Sequence, residues 1–214
     1  MLLLRSAARR SASACTSAAS PATVSCFSSS ASAASSSPVV VTAALNGVLT
    51  DPAKFPIPVT PAEMAQQAGE AYDAGASVVH IHFRDQRPGK GHLPTWEPAV
   101  AKDVCDAIRA RAPDLLINMT TGTFSHGAPA AWGDDLNAFA GGHRGPTEGP
   151  IACFDAAQPH IAALNSGSLN YLKLRKDGEW AWPPMLFDNE VSKVETMLAA
   201  MEDRGIVPEC ECVY

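Results

Sequence analysis

The sequence predicts an α/β fold of the TIM (β/α)8-barrel type, of which this chain supplies only the first five βα units of a parallel barrel. Five apolar strand patterns alternate with four helical patterns, which is typical of parallel sheets. Polar residues recur on one face of strand after strand, whereas strands of a doubly wound sheet are apolar on both faces. A five-stranded doubly wound sheet is the alternative, since about 177 residues (214 minus 37) are fewer than the roughly 250 of a full barrel.

The first 37 residues differ in composition from the rest of the chain. They contain Arg5, Arg9 and Arg10, no aspartate or glutamate, and a long serine and alanine tract. This composition is typical of an organelle transit peptide, and the early leucines and arginines suit a short amphipathic helix. We therefore expect a disordered transit peptide at 1–37, addressed to the mitochondrial matrix with the chloroplast as the alternative, and a partial barrel domain at 38–214. An untargeted low-complexity tail is the competing interpretation.

Five strands are predicted, and the first four of them are rich in valine, isoleucine and leucine. They cover residues 39–46, 77–85, 115–120, 161–166 and 208–214. The first ends at the turn dipeptide Asn46-Gly47 and the third ends at Thr121-Gly122. Continuous apolar runs of this length indicate buried parallel strands.

The four predicted helices lie between these strands. They cover residues 60–75, 95–111, 150–157 and 188–205. Thr60 and Glu63 form a capping box that begins the first helix, and Asp188 or Asn189 caps the last. Two long loops are predicted, at 123–148 and at 167–187.

Charge, hydropathy and cysteine usage exclude several classes of protein. The formal charge is -6, and removal of three arginines takes it to about -9, so we expect no nucleic-acid partner. The apolar runs are far shorter than the roughly 18 residues of a membrane span, so we expect no membrane partner. The four cysteines outside the presequence are predicted to be reduced, small buried residues. They are Cys105, Cys153, Cys210 and Cys212.

The second predicted strand carries the most specific chemistry. Its alternation places His80, His82 and Arg84 on one face and apolar side chains on the other. Two imidazoles one strand repeat apart can bind a single metal ion, and neutral imidazole suits zinc. A pair of hydrogen-bonded core histidines is the alternative. A catalytic zinc site would still need a third protein ligand.

Six motifs in this order resemble the β-keto acid cleavage enzymes, whose founding activity is the cleavage of 3-keto-5-aminohexanoate. They are TAALNG at 42–47, IPVTPAE at 57–63, AGASVVHIHFRD at 74–85, INMTTG at 117–122, ALNSGSLNY at 163–171 and GIVPECE at 205–211. The resemblance extends over the whole chain from residue 38 onwards. It implies a zinc-dependent barrel that takes a β-keto acid and acetyl-CoA and returns a CoA ester plus acetoacetate.

The resemblance also implies roles for individual residues. By position, His80 and His82 match two zinc ligands of the family. Thr120 matches a hydroxyl residue that helps hold the substrate carboxylate. Glu211 matches an acidic residue that contacts the distal end of the substrate. Asn165 is the third predicted substrate-binding residue. Zinc bound to the keto oxygen would stabilise the enolate-like charge of a retro-Claisen step. The full-length form is expected to be a homo-oligomer.

Two kinds of departure from the family pattern qualify these expectations. Ala163 replaces a substrate-contacting threonine and Leu49 replaces an acid, so an amine-bearing keto acid loses support. The family's third zinc ligand and its catalytic dyad are expected beyond Tyr214, so no catalytic residue is assigned. The alternative function is a catalytically incomplete barrel fragment that retains two metal-binding histidines. Amidohydrolase-type barrels also use an HxH motif, but on the first strand.

Overall fold

A five-stranded parallel sheet forms the centre of the protein. The structure is a computed structural model, which describes residues 38–47, 50–122, 147–171, 174–179 and 185–212. Several predicted features lie outside the described residues. They are the transit peptide at 1–37, Leu49, most of the loop predicted at 123–148, and the last two residues of the strand predicted at 208–214.

The described elements alternate between strand and helix along most of the chain. The strands are β1 (Thr42–Ala44), β2 (Val78–Ile81), β3 (Leu116–Thr120), β4 (Ile161–Asn165), β5 (Leu169–Tyr171), β6 (Met185–Phe187) and β7 (Val207–Glu211). The helices are α1 (Pro61–Asp73), α2 (Pro98–Arg111), α3 (Glu148–Ala157) and α4 (Val191–Glu202).

The order of the strands confirms the barrel-type prediction. The sheet runs β1-β2-β3-β4-β7, and every neighbouring pair is parallel. Because this order follows the chain without a reversal, every right-handed crossover moves in the same direction and places its helix on the same side of the sheet. A doubly wound sheet reverses its strand order and carries helices on both faces. The described residues therefore form a partial barrel of five parallel strands.

The two faces of the sheet differ in polarity, as the alternation of the sequence predicts. The helix-facing side chains are buried and join the apolar stripes of all four helices in one core. From the sheet they are Val79, Ile81, Ile117, Met119, Ala162 and Leu164. The opposite face carries the polar side chains. They are His80, Asn118, Thr120, Asn165, Glu209 and Glu211.

Helix α1 begins with the predicted capping box. The Glu63 N–H donates to the Thr60 hydroxyl oxygen at 3.3 Å, and the Glu63 carboxylate accepts from the Thr60 N–H at 2.9 Å. The main-chain N–H groups of Thr60 and Val59, which both donate to the Glu63 carboxylate, hold the pKa of Glu63 below its usual value. Pro61 occupies the first helical turn, where its missing N–H costs nothing.

Two helix starts differ from the predicted positions. The Thr95 hydroxyl accepts the Glu97 N–H at 3.0 Å, so residue 95 belongs to a turn and α2 begins only at Pro98. Helix α4 begins at Val191, and the Asn189 side chain is turned to the preceding loop, where its amide donates to the Gly167 carbonyl at 3.3 Å. The predicted caps at 188 and 189 were therefore wrong, and Glu190 occupies the cap position.

Two short strands lie where the sequence predicted only a loop. Strands β5 and β6 pair antiparallel within the segment 167–187. Each has three residues, which is too short for a readable alternation. Strand β1 is also shorter than predicted: Val39, Val40 and Val41 precede it and are exposed, because β1 is an edge strand.

The cysteine prediction was half right. Cys105 and Cys153 are buried, and burial raises the pKa of the Cys105 thiol to about 12. Cys210 and Cys212 are exposed, because β7 lies at the other edge of the sheet.

In the described part of the chain, no helix is both long enough and apolar enough to span a membrane.

Candidate functional site

The two histidines of the second strand point at one another on the polar face of the sheet. His80 lies in β2, and His82 follows just after the strand ends at Ile81. Their Nε2 atoms are 3.2 Å apart and share a hydrogen bond, as in the alternative of a hydrogen-bonded histidine pair, and their rings are at 74° with centroids 5.1 Å apart. Both side chains are half-buried. The predicted convergence of these imidazoles is thus present in the structure.

The surroundings keep His82 in the neutral form that binds metals. Burial, followed by the charges of His80 and Arg84, lowers the pKa of His82 to about 3. At neutral pH its imidazole is therefore unprotonated and retains a lone pair. Metal binding needs that lone pair, since a protonated histidine has no free nitrogen to offer.

The spacing of the pair fits one metal ion. Two nitrogens that each lie about 2.0–2.1 Å from a tetrahedral zinc ion are about 3.3 Å apart, close to the observed 3.2 Å. Within the described ranges, however, no group of three histidine, cysteine, aspartate or glutamate side chains is arranged to hold a metal. The described residues therefore offer two of the three protein ligands that a catalytic zinc site uses.

A buried arginine fastens the loops around the histidine pair. Arg84 is 0% exposed, and it donates through Nη1 to the His92 carbonyl at 3.0 Å and through Nη2 to the Gly47 carbonyl. These carbonyls belong to the loops after β2 and after β1. Burial lowers the pKa of Arg84 to about 10, so the guanidinium stays charged at neutral pH. Next to it, the Asp85 carboxylate binds Arg87 at 2.6 Å.

The three predicted substrate-binding residues lie on the same face as the histidines. Asn165 and Glu211 are register partners on β4 and β7, and the Asn165 amide donates to the Glu211 carboxylate. Thr120 ends β3 and is buried, and its hydroxyl oxygen accepts the Gly122 N–H at 3.1 Å. Turn formation thus uses one lone pair of Thr120 and leaves its O–H able to donate. Strand β3 separates the histidines from the Asn165–Glu211 pair.

Two polar residues of this face had received no role from the sequence. Asn118 is fully buried, and its amide donates to the Glu209 carboxylate at 2.8 Å, whereas its Oδ1 atom has no hydrogen-bond partner among the described residues. Both lie two positions before a predicted site residue, Thr120 and Glu211 respectively. Strand alternation alone could therefore have assigned them to the site.

Lys193 is a third residue that sequence reasoning missed. It is buried in the first turn of α4, where its ammonium donates to the Asp188 carbonyl at 2.9 Å and lies 5.6 Å from the centre of the Phe187 ring. Burial lowers the pKa of Lys193. A lysine in a helix normally indicates a solvated position, so the sequence carried no signal of its burial.

Comparison with known proteins identifies related sequences. Residues 38–214 match the family model described as beta-keto acid cleavage enzyme. The 3,5-dioxohexanoate:acetyl-CoA acetone transferase of Paraburkholderia graminis is 30% identical over 186 residues, covering 80% of this chain and 53% of that protein. The 3-dehydrocarnitine:acetyl-CoA trimethylamine transferase of Rhizobium meliloti is 30% identical over 177 residues, with coverages of 80% and 54%. This chain therefore spans about half the length of the curated relatives it matches.

Among solved structures, the binary complex of ObcA with oxaloacetate is similar with a TM-score of 0.46 and 19% identity, over 72% of this chain and 30% of that one. The match to the family model is the broader finding, because residues 38–214 are 177 of the 214 in the chain. The chain belongs to the beta-keto acid cleavage enzyme family.

Proposed function

We propose that this chain supplies the His80–His82 part of a zinc site in an enzyme that cleaves a β-keto acid with acetyl-CoA and gives a CoA ester plus acetoacetate. The observation that carries the proposal is the 3.2 Å separation of the two Nε2 atoms in a chain of this family. Zinc, when bound, supplies a Lewis acid that polarises the keto oxygen. The neutral imidazole of His82 and its strand neighbour His80 would hold the ion.

The names of the relatives support the proposed substrates. One relative is named for 3,5-dioxohexanoate and acetyl-CoA, another for 3-dehydrocarnitine and acetyl-CoA. We therefore propose a small β-keto acid and acetyl-CoA as the partners of this chain. No described feature favours a nucleic acid or a membrane.

Three polar residues of the sheet face are proposed to bind the substrate. The Thr120 hydroxyl can donate to a carboxylate, since its oxygen accepts the Gly122 N–H while its proton has no acceptor among the described residues. Glu211, oriented by the Asn165 amide, presents an acceptor at the carboxyl end of β7. In barrels this end of the strands is where substrates bind.

Metal analysis of the purified chain tests the zinc site. Zinc is measured by mass spectrometry in the wild type, in the double variant H80A/H82A and in H92A, which removes an exposed histidine outside the pair. We expect the wild type and H92A to bind the same amount of zinc, and the double variant to bind none. Equal zinc contents in all three proteins would contradict the proposal.

A coupled CoA-ester assay with a panel of β-keto acids tests the chemistry. Zinc-dependent formation of a CoA ester that is lost in H80A/H82A would support it. A zinc-loaded chain without turnover would instead establish the alternative, a catalytically incomplete chain that binds metal. The same preparations, examined by sedimentation, test the proposed homo-oligomer.

The composition of residues 1–37 supports a further part of the proposal, import into the mitochondrial matrix. Residues 1–37 fused to a fluorescent protein should enter mitochondria. Replacement of Arg5, Arg9 and Arg10 by glutamate should abolish import, because matrix-targeting segments need a basic face. Accumulation in chloroplasts would favour the alternative address, and a cytosolic wild-type fusion would reject both.

A further inference from the structure

The second histidine of the pair lies outside the strand that carries the first. Strand β2 ends at Ile81, so the regular ladder fixes the main chain of His80 but not that of His82. On the β1 side, the Leu45 N–H donates to the His80 carbonyl at 3.1 Å. A parallel ladder that continued by one more step would bind the His82 N–H to the Leu45 carbonyl and the His82 carbonyl to the Gly47 N–H.

The main chain does not make these two bonds, because it turns away from the sheet. Gly47 has a φ of 70°, a left-handed conformation that glycine adopts without strain. Its carbonyl accepts from the buried guanidinium of Arg84. The backbone after β1 is therefore committed to a turn just where His82 needs a partner.

The side chain of Asn46 makes both bonds instead. Its Oδ1 accepts the His82 N–H at 3.0 Å, and its Nδ2 donates to the His82 carbonyl at 2.8 Å. The second proton of Nδ2 points towards the Pro58 carbonyl at 3.3 Å. Asn46 is buried, with 6% of its surface exposed, so water competes little for these bonds.

We infer that Asn46 is a positioning residue that holds the main chain of His82 in place of the β-ladder and thereby sets the position of the second imidazole of the metal site. The metal part of this inference rests on the proposed function. A metal ligand must be held within about 0.5 Å of its working position, and residues that orient ligands typically change metal affinity 10- to 100-fold when they are removed. An amide is suited to this task because it offers an acceptor and a donor side by side, as a peptide group does.

The test compares three variants of this 214-residue chain with the wild type. N46A removes both bonds to His82. N46D keeps the shape and one acceptor, but it replaces the donor with an oxygen that faces the His82 carbonyl. T60A is the matched control, because it removes the cap of α1 and lowers stability without touching His82.

The first readout needs no metal. Amide hydrogen exchange at His82, measured by NMR on the metal-free chain, should be about tenfold faster in N46A than in the wild type, the factor expected for one lost hydrogen bond. In N46D the His82 N–H keeps its acceptor, so its exchange should stay close to the wild-type rate. In T60A exchange at His82 should also match the wild type. Unchanged protection of His82 in N46A would overturn the inference.

The second readout is Co²⁺ binding, followed by the intensity and position of the visible d–d bands, which report coordination geometry. We expect about tenfold weaker binding and altered bands in both N46A and N46D, with T60A equal to the wild type. Wild-type affinity and bands in N46A and N46D would overturn the inference even if H80A/H82A binds no cobalt. A wild type that binds no Co²⁺ would reject the proposed metal function, whereas the exchange measurement would still decide whether Asn46 holds the His82 main chain.

Discussion

The stability of the metal-free chain should depend on pH through His82. The pKa of this imidazole is 6.5 in an ordinary environment and about 3 in the fold. Between these values the unfolded chain binds the proton more tightly, so the free energy of unfolding rises with pH and levels off above about 6.5. Integration from pH 5 to pH 7 gives about 2 kcal/mol for this single group. Below pH 5 the carboxylates add their own titration. Between pH 5 and 7 other histidines also titrate, and burial lowers the pKa of His160 as well, so only a comparison with a variant of His82 isolates its contribution.

The variant H82Q measures this contribution, because glutamine fills similar space and does not titrate. Urea unfolding in the presence of EDTA, at pH 5, 6 and 7, gives the free energy of unfolding of both proteins. The wild type should lose about 2 kcal/mol relative to H82Q between pH 7 and pH 5. H92Q, which makes the same replacement at an exposed histidine outside the pair, is the control for the substitution itself. Parallel curves for the wild type and H82Q would show that the imidazole is not protected from protonation, and the reasoning on its neutrality would fail.

Three further predictions concern the frame around the site. T60A should lower the free energy of unfolding, measured with urea, by about 1 kcal/mol, because it removes the capping bond of α1. An unchanged urea midpoint would contradict the role of the cap. F154A should cost about 3–5 kcal/mol in thermal unfolding, since the Phe154 ring is 1% exposed in the core, and a loss below 1 kcal/mol would show that it is not packed there. N118D places a second carboxylate against Glu209, and the repulsion between the two charges destabilises the fold when both acids are ionised. Relative to the wild type, N118D should therefore lose more stability at pH 8 than at pH 5. Equal losses at both pH values would argue against the contact.

Local sequence signals predicted much of this structure because the bonds that they describe are themselves local. The capping box of Thr60 and Glu63 spans four residues, and it forms as expected. The alternation of the second strand placed His80 and His82 on one face, and their imidazoles meet there. The motif order predicted the family, and the order of the strands agrees with the barrel interpretation.

The features that escaped prediction depend on contacts between distant parts of the chain. Asn46 was assigned to a turn, which is correct for its main chain, but the partner of its side chain lies 36 residues further on. Asn189 was a plausible cap, but its side-chain amide donates to the carbonyl of Gly167, 22 residues earlier in the chain. Lys193 is buried because the segment around Phe187 and Asp188 folds over it, and no periodicity in α4 marks that event.

The contacts of Arg84 have a consequence for how this family can vary. One guanidinium holds carbonyls of both the loop after β1 and the loop after β2, so the two loops cannot change length or course independently near Gly47 and His92. A relative that inserts residues beside Gly47 should show a matching change near His92, or a smaller residue in place of the arginine. Among relatives, these two loops are therefore expected to diverge together rather than one at a time.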